Sequence, residues 1–390
     1  MRLRYSALLA FSLAIGGSNT LHASELLPIG ANTSAQCDAY SFEFQLGRSS
    51  LITGSDRLSA FRTLPQDDPD MMDFEHRVLE RLYWWTAVVI REPDKAPKFA
   101  SKIYNQLVEL DAAGGATRVL VNDRAMQNLV HKDFLLTVAY AILAIKETAA
   151  LETSQVDWLT DFLRRRIDIA NYQRPDLYGA AQCFSAMSNT QSVGGCQNHA
   201  IGHQHLRTMW GAIAGDANEL DRGRRMWEFA INDLTEDGAL WREAVRGAYS
   251  WSYYSHALNN LMAIADLLAR SGTPVWDYEN QRGQTIHDAV AFYTRSLADP
   301  ENPDLMWRYA QANQGMNYSH AEGANPRSLT VHARVLERLW YTEWFPIYRT
   351  WFPDHPNTTH MAALYTGDRL PRTSFHTGLN TWCTMPGGLD

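Results

Sequence analysis

The chain has 390 residues, 45% hydrophobic and 20% charged, with a formal net charge of −8. That acidic balance argues against nucleic acid, whose binders carry basic patches. It also counts mildly against a polyanionic substrate, although a cleft can be basic on an acidic protein.

The N-terminus reads as a processing segment. Arg2 and Arg4 form a positive n-region, Ala7 to Ile15 an apolar h-region, and Gly16 to Ala23 a small and polar stretch. Residues 1–23 are therefore expected to be a signal peptide, cleaved near Ala23 or Ser24. The apolar run falls short of the ~20 residues a membrane span needs, and no later run qualifies. Removing Arg2 and Arg4 leaves 33 basic against 43 acidic residues, a net −10. The expectation is a protein in the periplasm or secreted, with no membrane partner.

Residues 24–390 are expected to form a single domain, since no low-complexity linker or composition shift divides them. Ser24 to Asp73 is irregular and reads as an extended arm or a lid. Beyond it, helical stripes cover Phe74 to Ile90, Arg124 to Thr148, Gln155 to Tyr172, Ala200 to Gly215, Leu220 to Leu234, Ser252 to Ser271 and Ser328 to Trp351. In the Ser252 segment, Leu258, Leu261, Met262, Ala265 and Leu268 trace one buried face, and Gly272-Thr273-Pro274 stops it. Thr117 to Val121 is at most a short strand. Helices of ~15–20 residues at this regularity suggest an all-α fold of antiparallel hairpins, closed as an open solenoid or as a ring around a cleft. No sharp internal repeat supports the solenoid.

Four cysteines, Cys37, Cys183, Cys196 and Cys383, fit an oxidising compartment and allow three pairings. Cys183–Cys196 is favoured because the two bracket one loop, leaving Cys37–Cys383 to tie the ends. Basic clusters at Arg164-Arg165-Arg166 and Arg222-Arg224-Arg225 read as solvated helix faces. Aromatic clusters at Tyr83-Trp84-Trp85, Trp251 with Tyr253-Tyr254, and Trp340-Tyr341 with Trp344 read mostly as core.

Gly194-Gly195-Cys196 lead into Gln197-Asn198-His199, just before a helical stripe. Exposed N–H groups and the positive end of the helix dipole favour an anion there. Asn198 is equally a good capping residue. Arg246 follows His199 by 47 residues, about one hairpin, and Tyr253 follows Arg246 by 7. A guanidinium fork suits a carboxylate, and it favours the phenolate of a tyrosine whose ordinary pKa is about 10. These groups suit proton abstraction beside a sugar carboxylate.

That order of residues, with Gly238 to Glu243 leading to Arg246 and Tyr253 to Leu258 following, resembles the active-site pattern of polysaccharide lyases related to mannuronate-specific alginate lyase. The family usually has asparagine where this chain has Gln197. The resemblance covers about Gln155 to Gly272. It implies an (α/α)n toroid, an incomplete barrel of hairpins, and β-elimination without metal or other cofactor. It implies catalytic roles for Asn198, His199, Arg246 and Tyr253. Asn198 and Arg246 would hold and neutralise the uronate carboxylate, with His199 assisting or acting as base. Tyr253 would move the C5 proton to the leaving O4. Gln197, Arg242 and Tyr254 are expected to bind substrate, an acidic polysaccharide, on a monomeric protein. Polymannuronate-rich alginate is the first candidate, and glucuronan or another polyuronate the second.

Three other readings compete. His199, His203 and His205 invite a metal, but Ala200-Ile201-Gly202 places no glutamate as base. A glycoside hydrolase would use paired carboxylates, for which Asp216, Asp237, Glu243 and Glu322 are available without an obvious pair. An exported carbohydrate-binding protein without activity is the third.

Overall fold

A computed structural model describes residues 26–28, 30, 37, 69–112, 125–172, 196–247, 250–300, 302, 304–312, 342–365 and 377–388. The helices are α1 (Pro69–Arg91), α2 (Ala96–Ala112), α3 (Ala125–Thr148), α4 (Thr153–Tyr172), α5 (Asn198–Ala214), α6 (Ala217–Asn232) and α7 (Trp241–Ala244). They continue with α8 (Ser250–Arg270), α9 (Ile286–Ala298), α10 (Met306–Ala312), α11 (Trp344–Trp351), α12 (Pro356–Ala363) and α13 (Thr381–Thr384). Among the described residues there is no strand, only an isolated antiparallel bridge from Leu234 to Leu240.

Short connections fold α1 onto α2, α3 onto α4 and α5 onto α6 as antiparallel hairpins. The turn from α5 to α6 uses Gly215 at φ 69°, where Asp216 N–H reaches back to Gly211 O at 2.9 Å. Gly272, at φ 81°, ends α8 in a Schellman motif, with Thr273 N–H on Leu268 O at 2.8 Å and Gly272 N–H on Ala269 O at 3.1 Å.

The first helix of each hairpin faces inward, and these inner helices run parallel. Lys132 lies against Gly202, Tyr140 meets His205 at 3.2 Å, and Lys146 donates to Ile213 O at 3.2 Å, so α3 and α5 rise together. His199 lies beside His256 and His205 bonds Asn260, aligning α5 with α8. Trp344 Nε1 donates to Ser255 and Trp351 Nε1 to Asp266, aligning α11 with α8. At the seam, α13 packs on both α1 and α11. Cys383 in α13 is disulfide-bonded to Cys37, with Cα atoms 5.6 Å apart. This is an α/α toroid.

Two apolar cores fill it. One gathers α1 to α4 with Leu206, Met209 and Ile213 of α5; the other gathers Ala200 and Ile201 of α5 with α6, α8, α9 and α11. Helix α5 is thus apolar on two sides, each buried Leu or Ile contributing about 1.5–3 kcal/mol.

Several expectations are revised. The Ser328 to Trp351 stripe is interrupted, because Thr342 and Glu343 are not helical; residues 328–341 lie outside the described residues. Helices α2 and α9 were not expected. The expected strand at 117–121, the signal segment 1–23 and Cys183 lie outside the described residues, while Cys196 is disulfide-bonded. The described start of the arm packs beside the C-terminal end of α3, where Glu147 accepts the N–H groups of Leu26 and Leu27, each at 3.1 Å. Arg166 is buried on Phe162 and bonded to Asp111 at 2.5 Å, not solvated.

Candidate active site

Parallel inner helices bring their N-termini to one end of the ring, where the expected residues converge. Gln197 is the N-cap of α5 and makes no side-chain cap bond. Its Oε1 instead accepts from the Arg246 guanidinium. The same guanidinium lies over the Tyr253 ring, 4.5 Å from its centroid. His199 sits edge-on to His256, with ring centroids 6.2 Å apart. Gln197, His199 and Tyr253 are half-buried, while Asn198, Arg246 and His256 are buried.

Local sequence explains how Arg246 gets there. A tight turn, with Thr235 N–H on Ala239 O at 2.9 Å, starts the short helix α7. Gly247 at φ 61° then reverses the chain into α8. Ser250 Oγ accepts from Arg246 N–H at 3.1 Å and donates to Ala244 O at 2.7 Å, holding the turn closed.

The anion expected at the α5 N-terminus is supplied by the protein itself. Glu243 Oε1 accepts Asn198 N–H at 2.5 Å, and Oε2 accepts Asn198 Nδ2 at 2.7 Å. Arg246 Nη1 stands 3.9 Å from Glu243 Oε2. Burial pushes the Glu243 carboxyl up, and Arg246 and the two Asn198 bonds oppose the shift. Asn198 Oδ1 is buried with no hydrogen-bond partner among the described residues. Asn198 is therefore not a side-chain cap of its own helix.

Two expected substrate-binding residues are placed elsewhere. Arg242 is 5% exposed, with Nε on Asp233 Oδ2 at 2.9 Å. Tyr254 is fully buried, and its hydroxyl accepts Leu240 N–H at 3.1 Å and donates to Ala289 O at 3.0 Å. Helical geometry accounts for this: Tyr253 and Tyr254 are neighbours, so their side chains point about 100° apart. Sequence reasoning missed His256 and Ser250, and weighed Glu243 only as a hydrolytic acid. Its position three residues before Arg246, close enough for the two side chains to meet, was the available signal.

Of the competing constellations, His205 is locked in the core. Its Nε2 faces Tyr140 Oη at 3.2 Å and its Nδ1 faces Asn260 Oδ1 at 3.0 Å, and burial pushes its pKa down to about 3. Among the described residues no three His, Cys, Asp or Glu side chains group as a metal site. Asp216 caps α6, Asp237 bonds Arg308 and Tyr309, and Glu243 bonds Asn198, so these carboxylates do not face one another as a pair. Glu322 lies outside the described residues.

Residues 110–302 match the family model described as alginate lyase. The fold is similar to that of alginate lyase A1-III from Sphingomonas species A1, at a TM-score of 0.62 and 17% identity over 94% of this chain and 99% of that one. A tyrosine-to-phenylalanine variant of alginate lyase A1-III complexed with tetrasaccharide gives 0.65 and 16% over 94% and 97%. An alginate lyase from Bacteroides ovatus gives 0.54 and 11% over 84% and 78%. No curated protein matches the chain in sequence.

Proposed function

As a member of the alginate lyase family through residues 110–302, and so a polysaccharide lyase, the chain, we propose, cleaves a β-1,4-linked polyuronate by metal-independent β-elimination, with polymannuronate-rich alginate its first substrate. The observation that carries this reading is the Arg246 guanidinium joined to Gln197 and stacked on Tyr253.

The chemical difficulty is the weak acidity of C5–H, eased when the attached carboxylate is neutralised. Arg246, the Gln197 amide and His199 supply the cation and donors for that; Asn198, expected to hold the carboxylate as well, is fully buried with its N–H and Nδ2 on Glu243 and instead holds the first turn of α5 in place. Such preorganised groups often contribute most of the rate, one donor being worth roughly 3–4 kcal/mol. Tyr253, as phenolate, takes the C5 proton. The electron pair left on C5 forms the C4–C5 double bond, the C4–O4 bond breaks, and the phenol returns its proton to O4. One phenol serves both steps when the two atoms lie on the same side of the sugar. No step calls for a metal. Export after cleavage near Ala23 completes the reading. The Cys37–Cys383 disulfide fits an oxidising compartment, and no helix among the described residues is long and apolar enough to cross a membrane.

Alginate lyase A1-III with one tyrosine changed to phenylalanine, or one histidine changed to alanine, is found complexed with tetrasaccharide. We carry over the expectation that Tyr253→Phe and His199→Ala bind oligosaccharide. The test is ultraviolet absorbance of the unsaturated product on a panel of polyuronates, with chelator present. Tyr253→Phe should lower kcat about 10²–10⁴-fold while melting like the wild type. Full activity in that variant would sink the assignment, and loss of wild-type activity with chelator would return a metal to the mechanism.

A further inference from the structure

We infer that Glu243 is a positioning residue for the elimination: a buried carboxylate that fixes Asn198 and sets the charge balance of the Arg246–Tyr253 pair. The inference rests on the lyase reading and deepens it. Glu243 is 2% exposed, so its charge meets protein groups rather than water. Each oxygen takes one donor from the same residue, Asn198 N–H at 2.5 Å and Asn198 Nδ2 at 2.7 Å. Two bonds to one residue fix both the first turn of α5 and the Asn198 amide plane, which a single bond would leave free to rotate. The amide is thereby turned so that Oδ1 is left without a partner among the described residues.

Oε2 also stands 3.9 Å from Arg246 Nη1. That guanidinium lies 4.5 Å from the Tyr253 ring centroid, so Glu243 partly offsets the cation that favours phenolate. A buried acid used only for stability would be paired and finished. This one touches two of the four residues expected to carry the chemistry, Asn198 and Arg246, and is linked through Arg246 to a third, Tyr253.

Two variants separate geometry from charge. Glu243→Gln keeps the shape but places an amide N–H against one of the two Asn198 donors whichever way it turns, and it removes the charge. Glu243→Asp keeps the charge but is one methylene too short to hold both donors. In the full chain, both should lower kcat about 10–100-fold with KM changed less than about threefold. The pH–rate limb set by Tyr253 should move to lower pH in Glu243→Gln and stay in place in Glu243→Asp. Wild-type kcat in both variants, or an unmoved limb in Glu243→Gln, overturns the inference. Loss of cooperative melting in both also overturns it, since Glu243 would then be a fold residue. A wild-type protein that makes no unsaturated product sinks the lyase reading, and Glu243 with it. An active wild type with fully active variants sinks only the role of Glu243.

Discussion

Two adjacent tyrosines divide the labour of the α8 N-terminus. Tyr253 is half-buried under Arg246, while Tyr254 is closed in the core and ties Leu240 of the α7 entry to Ala289 of α9. Tyr254 is stacked on Tyr293, with planes 7° apart, so its ring is held independently of its hydroxyl. Tyr254→Phe therefore leaves the buried Leu240 N–H without its acceptor, at a cost of about 1–3 kcal/mol, while the Ala289 carbonyl keeps its place in the α9 ladder. Urea denaturation should show that loss, while kcat and KM stay near wild type. A Tyr254→Phe variant with native stability and impaired kcat would place the hydroxyl in the site after all. The contrast also shows what the sequence could tell. Residue types and the 47- and 7-residue spacings pointed to Arg246 and Tyr253. Which face each side chain takes depends on packing partners, such as Asp233 for Arg242, that lie outside the motif.

At the scale of elements, long stripes were readable where apolar residues recur at helical spacing, as in α8 with Leu258, Leu261, Met262, Ala265 and Leu268. Helix α9 escaped notice although Thr285 and Asp288 form a capping box at its start. Its apolar face is matched by α8, and that match is invisible in a short window. The inner helices are also joined by polar contacts, of which Tyr140–His205–Asn260 links α3, α5 and α8. His205 is neutral there, its pKa pushed down by burial to about 3, against about 6.5 when unfolded. The unfolded chain thus binds a proton that the native state refuses. The stability from His205 is complete above about pH 6.5 and is lost as pH falls toward 3. Glu147 works in the opposite direction, since burial raises it to about 8. Comparing His205→Gln with wild type isolates the histidine, because glutamine can still accept from Tyr140 and donate to Asn260. Melting temperatures measured from pH 7 to 4 should fall more steeply in wild type; parallel slopes would refute the assignment.

Across the whole molecule, the ring was expected from helix regularity and family resemblance, but the seating of α13 on both α1 and α11 was not. The Cys37–Cys383 pairing was expected, and it joins residues 346 apart in sequence. Closing so long a loop restricts the unfolded chain, and removing a bridge of this kind costs about 2–5 kcal/mol. A Cys37→Ser, Cys383→Ser double variant should lose that much in denaturant while keeping its kcat; unchanged stability would count against the estimate. The bond also has a mechanical consequence. Hairpins packed side by side make a strip whose first and last members can part like the ends of an open collar. With α13 seated on both α1 and α11, and Cys383 bonded to Cys37, the collar is buckled. A bulky polymer cannot enter by springing the seam. Room for it has to come from the ends of the helices, where the half-buried Gln197, His199 and Tyr253 already stand.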